Sequence, residues 1–198
     1  KLSNKGEAIR LLAADGSQIA NFQYGSSGSW PGRSDGKGSV LEIIDPAKSA
    51  SDSSNWRSSK VFLGTPGSSS PPIILPGILI NEVLTHTDLP LLDTIELYNP
   101  TNDAVDLSGW WLSDSNANYM KFQIPVGTTI GAGDYAAFDE THFNPTPETP
   151  KETHFSLNSA NGDEVYLLSG IPGKPNPVGF VDRVVFGAAL NGISFGLV

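Results

Sequence analysis

The chain has 198 residues, of which 38% are apolar and 17% charged, with 21 glycines and 15 prolines. That balance suits a turn-rich β protein and excludes a charge-driven disordered segment. Twelve basic against 21 acidic side chains give a net charge of −9, which repels phosphate backbones and anionic lipid. Nucleic acid is therefore not an expected partner. With no cysteine, disulfides, thiolate metal sites and a Cys nucleophile are excluded as well.

The first apolar run, Ala8 to Leu12, stops at Asp15-Gly16, a hairpin turn pair. Ile19 to Tyr24 alternates apolar and polar residues, the period of a half-buried strand, and Val40 to Ile44 is a third strand ended by Asp45-Pro46. Residues 67–77 are rich in Pro and Ser and read as a linker, because Pro has no N–H to give to a ladder. Ile73, Ile74 and Leu75 are placed along a neighbouring sheet edge. Strands are then predicted over residues 78–83, 94–98, 110–112, 119–122, 134–138, 164–168, 183–186 and 192–195. Turn signals such as Asn99-Pro100, Ser108-Gly109 and Asn161-Gly162 separate them. No stretch has a helical period. No apolar run approaches the ~20 residues that span a bilayer, so membrane insertion is not expected. A chain opening at Lys1 without Met reads as a processed protein or a fragment of a longer one.

The sequence also repeats itself. Residues 2–12, with one residue inserted, match residues 157–168, and Ile19 to Gly25 match Val181 to Gly187. Residues 1–66 thus read as the C-terminal half of a domain, and residues 78–198 as a nearly complete copy. Several motifs of that copy are specific. They include Ile80-Asn81-Glu82-Val83, Ile95-Glu96-Leu97-Tyr98-Asn99, Val105-Asp106-Leu107-Ser108-Gly109-Trp110 and Gly162-Asp163-Glu164-Val165-Tyr166-Leu167. In this order they resemble the lamin-tail domain family. The resemblance implies an all-β, immunoglobulin-like β-sandwich, here in tandem. Asn55-Trp56-Arg57 and Gly64-Thr65-Pro66-Gly67 resemble the closing segment of the family. The second copy reaches Val198 without such a segment and is expected to lack one strand.

Catalytic groupings are sparse. His86, His142 and His154 fall in predicted loops without zinc spacing; each is more readily a solvated histidine than a general base. Asp114-Ser115-Asn116-Ala117-Asn118 begins like a calcium loop, but Tyr119 stands where Gly is required and Pro125 where Glu is, so Asx turns in a hairpin loop explain it better. Glu82 and Glu96 belong on neighbouring strands. A metal-binding or acid–base pair is weighed there against capping or salt bridges to Lys or Arg, and no third ligand is evident. Strand alternation points Trp110 and Trp111 to opposite faces, and the resemblance implies that Trp110 is the core Trp, which leaves Trp111 outward, to stack on a sugar, anchor a partner or pack under a loop. No nucleophile elbow or phosphate loop occurs.

The expectation is a non-catalytic structural or interaction module of a larger extracellular or cell-surface protein, without a cofactor or metal. It would act through strand edges and loops, on protein partners or on itself by strand exchange. The alternative is a carbohydrate-binding module of a secreted hydrolase, in which Trp111 and Tyr119 touch the glycan. The family has nuclear members, but the linker and the low Lys/Arg content point to a bacterial surface.

Overall fold

Alternation along the chain becomes antiparallel ladders throughout. The structure, a computed structural model, describes residues 2–3, 5–67, 76–85 and 87–197. Two compact units divide the chain, Lys1–Ile73 and Ile74–Val198. Most of the expected linker, together with Ile73, Ile74, Leu75 and His86, lies outside the described residues.

The first unit holds two hairpins. β1 (Glu7–Leu12) pairs with β2 (Gln18–Tyr24), and β3 (Leu41–Ile43) with β4 (Trp56–Ser58). Asp15-Gly16 makes the first turn as expected: the Ser17 N–H donates to the Asp15 carboxylate, and Gly16 takes a φ of 84° that a side chain would resist. Asn55 is buried and stitches the β3–β4 loop, giving its amide to the carbonyls of Asp45 and Ser49 and accepting from the Asp45 N–H. Phe22 and Trp30 pack on Trp56, with ring centroids 5.8 and 6.1 Å away.

The second unit is a sandwich of two four-stranded sheets. One has the order β11 (Tyr135–Asp139), β6 (Thr94–Tyr98), β5 (Leu79–Leu84), β14 (Ser194–Gly196). The other runs β13 (Gly179–Phe186), β12 (Asp163–Ser169), β8 (Trp111–Ser113), β9 (Phe122–Gln123). A short ladder joins β7 (Val105–Asp106) to β10 (Thr129–Ile130). Ile95 and Leu97 alternate inward from β6 and meet Leu112, Val165 and Leu167 of the other sheet, with Trp110 in the same core. This is the immunoglobulin-like sandwich the sequence implies. One helical turn departs from it: α1 (Glu140–Phe143) is nucleated by Asp139, whose side chain accepts from the Thr141 N–H while His142 closes the capping box. It delivers Phe143 onto Phe155, the rings stacked at 4.6 Å.

Asn99 fixes one end of this core. It is fully buried, and its amide donates to the carbonyls of Asp103, Ile130 and Gly131, while its oxygen accepts from the backbone and hydroxyl of Thr101. One side chain thus ties the end of β6 to the turn before β7 and to the end of β10.

Candidate functional site

The two units carry the same hairpin in different surroundings. β1–β2 pairs Glu7 with Tyr24, Ile9 with Phe22 and Leu11 with Ala20; β12–β13 pairs Asp163 with Phe186, Val165 with Val184 and Leu167 with Asp182. Both ladders slip at the same step, between Leu11 and Leu12 and between Leu167 and Leu168. Gly6 and Gly162 precede the strands at φ 87° and 81°, each so close to the opposite strand that a Cβ would run into the carbonyl of Tyr24 or Phe186. Each hairpin is also pinned by an acidic residue at its start: Glu7 accepts from the Ser3 N–H, and Asp163 from the Asn158 N–H.

Burial separates them. In the second unit, β12 has a neighbour on each side, β13 and β8, and Val165 and Leu167 are fully buried. Among the described residues of the first unit, β1 has β2 as its sole ladder partner, and no apolar side chain is buried. Leu11, at the place of Leu167, is 53% exposed. Between the two hairpins an apolar groove of about 370 Å³ stays open, lined by Ile9, Phe22, Tyr24, Val40, Leu41 and Trp56. An unpaired strand edge beside an open apolar face can accept another strand. The expected half copy implied an open apolar face; the structure places Ile9, Phe22 and Tyr24 on that face, with Val40, Leu41 and Trp56 of the β3–β4 side lining the groove opposite them.

The expected glycan contacts fare differently. Tyr119 is corrected: it is only 5% exposed, lying in the β8–β9 loop instead of a strand, edge-on to Tyr166 and Phe180 at 5.0 and 5.2 Å. Its ring is spent on protein, with no face free to stack on a sugar. The cause is that residues 114–121 fold back over the outer face of β12, where Leu168 is also fully buried. Trp111 does point away from the core, opposite Leu168, but it is half-buried with its Nε1 enclosed and its ring edge against Gly170.

Asp114 forms an ion pair with Lys121. Burial pushes its carboxyl above the usual range, and the lysine only partly offsets this. Asn116 donates to Glu164 instead of turning into a calcium loop, and Ser113 and Ser115 make local turns. Glu164 also accepts from the Tyr166 hydroxyl and from Arg183, whose guanidinium lies 5.3 Å from the Tyr166 ring centroid. Burial acts to raise Glu164, but the bonds from Tyr166, Arg183 and Asn116 outweigh it and hold the carboxyl below its ordinary value. Its stabilising contribution is then full above the ordinary carboxylate range and is lost as pH falls through the lowered folded value. Thermal melts between about pH 3 and 7 should show an acid limb that Glu164→Gln flattens, at a cost of no more than about 1 kcal/mol near neutrality.

Glu82 and Glu96 do sit directly opposite one another, across β5 and β6. Glu96 accepts from the Asn81 side chain at 2.7 Å, not from a Lys or Arg as expected. No group of three potential ligands gathers to hold a metal among the described residues. His142, weighed as a general base, accepts the Asp139 N–H at Nδ1 as part of the helix cap and packs its ring on Phe138. His154 is half-buried with an unpartnered Nδ1. The outer face of the first sheet adds a stacked pair that the sequence pattern does not mark, Tyr98 against Tyr135 at 4.7 Å.

The sequence model of the Lamin Tail Domain matches residues 75–184, more than half of the chain. No curated protein and no solved structure gives a significant match.

Proposed function

The chain belongs to the lamin tail domain family, and from that premise we propose that it is a non-catalytic module of a larger extracellular or cell-surface protein, joining partners through strand edges and loops. The family is immunoglobulin-like and generally serves as an interaction or structural module. The observation that carries the reading is the first unit, where β1, with no second ladder partner among the described residues, borders an open apolar groove. Such an edge gains main-chain hydrogen bonds and apolar burial together when a strand is added, which makes strand addition at this edge the natural mode of association. Glycan recognition has less support, because Tyr119 is enclosed and Trp111 is half-buried. The net charge of −9 favours soluble polypeptide partners over nucleic acid or anionic membrane.

Hydrogen exchange of the full chain, read beside sedimentation, tests this. The β1 amides should exchange at least about a hundredfold faster than those of β12 in dilute solution. They should slow as the chain reaches high micromolar concentration and copies begin to pair by their edges. Leu11→Lys, which places a charge on that edge, should abolish the concentration dependence. A monomer at high micromolar concentration whose β1 amides are as protected as those of β12 would overturn the proposal.

A further inference from the structure

We infer that the natural occupant of the first unit is a polypeptide segment patterned as the front half of a lamin-tail sandwich, whose β8-type strand pairs antiparallel with β1. The inference rests on the strand-edge reading above and names its partner. The second unit supplies the template. There the hairpin with the same register, the same bulge and the same start glycine is completed by β8, with Tyr166 opposite Ser113, Leu167 opposite Leu112 and Leu168 opposite Trp111. Transferred to the first unit, Arg10, Leu11 and Leu12 become the docking positions, and Leu11 requires an apolar residue opposite it. In the second unit the open side of the hairpin is closed by β5 and β6, through Ile80, Ile95 and Leu97. Ile9, Phe22 and Tyr24 present the corresponding apolar surface, which among the described residues is covered only in part, by Val40, Leu41 and Trp56, so that the groove stays open.

A single added strand would pair with the edge but leave the groove open; a strand block patterned Ile-x-x-Val, Ile-x-Leu and Trp-x-Leu fills both. A second copy of this chain is a poor donor. Its own front-half strands are committed to a buried core with β12 and β13, and releasing them would expose Val165 and Leu167, which are fully buried. The donor is therefore a separate segment of the same pattern.

The test splices residues 76–156 ahead of Leu2 of the full chain, since Leu157 follows them in the second unit at the place that Leu2 holds in the first. The fusion is expected to slow exchange of the β1 amides by about a hundredfold or more, independent of protein concentration, while the bare chain keeps its fast exchange. Carrying Leu112→Asp in the added block only should remove the protection. A synthetic peptide of residues 105–125, added in trans, gives a second reading, in which β1 protection saturates with peptide. If neither fusion nor peptide protects β1 while the bare chain still closes its edge at high concentration, the partner assignment fails and the strand-edge reading stands. If the bare chain is a monomer with β1 already protected, both fail.

Discussion

Leu167→Ala is expected to destabilise the second unit by about 3 kcal/mol, whereas Leu11→Ala should cost the first unit under about 1 kcal/mol. The two leucines occupy the same register position in matching hairpins, so strand propensity and cross-strand geometry cancel in the comparison. What differs is burial: Leu167 is sealed between two sheets and Leu11 is half open. Truncating Leu167 removes transferred apolar surface and leaves a cavity that the surrounding strands cannot fully collapse. Truncating Leu11 removes contacts that water already shares. Because the chain has two units, a single melting midpoint would mix them; amide exchange in rising urea, followed strand by strand, separates the two values. Equal costs at the two positions would mean that the first unit is covered in solution.

The second large effect is expected at Asn99. Asn99→Asp should cost about 3–5 kcal/mol at neutral pH, because an acceptor-only carboxylate would face the carbonyls of Asp103, Ile130 and Gly131 with no proton to give. Burial and those carbonyls both disfavour the charged form, so the folded-state value of the new carboxyl is raised. A raised acid binds its proton in the folded state first, and stability returns as pH falls through that value. Partial acid rescue in thermal melts is therefore the signature, with one restored O–H donor replacing two amide hydrogens. Asn99→Ala leaves the same carbonyls unpaired but should show no rescue. A loss below about 1 kcal/mol for either variant would mean that the buried hub holds little of the fold.

Much of this architecture is legible in the sequence because period-two patterning is a local property. The alternation from Thr94 to Tyr98 by itself puts Ile95 and Leu97 on one face, and Asp15-Gly16 announces its own turn. β7 and β10 have two residues each, too few to show a period. The turn of α1 is set by Asp139 and His142 acting through the backbone, a signal of caps and not of periodicity. Tyr119 escapes a local reading for a different reason. Whether an outward strand face meets water depends on where a distant loop returns, and only the unbroken apolar run Val165 to Leu168, with no polar residue for the second face, hints that both sides of β12 are covered. The lining of the groove in the first unit is hidden by the same non-locality: sequence shows which residues point inward, but not which stand opposite them.

The loop over the outer face makes the second unit three layers deep on one side, and this divides its surface into regions of unequal evolutionary freedom. Tyr119 of residues 114–121 packs on the buried Tyr166 and Phe180, so a change in the length of this loop would open an apolar strip and invite aggregation. Residues 145–153, which follow α1, are exposed throughout and cover nothing. Length variation between relatives, epitope tags and grafted binding sequences therefore have a tolerant address after α1 and an intolerant one between β8 and β9, although sequence alone shows two polar loops of similar size.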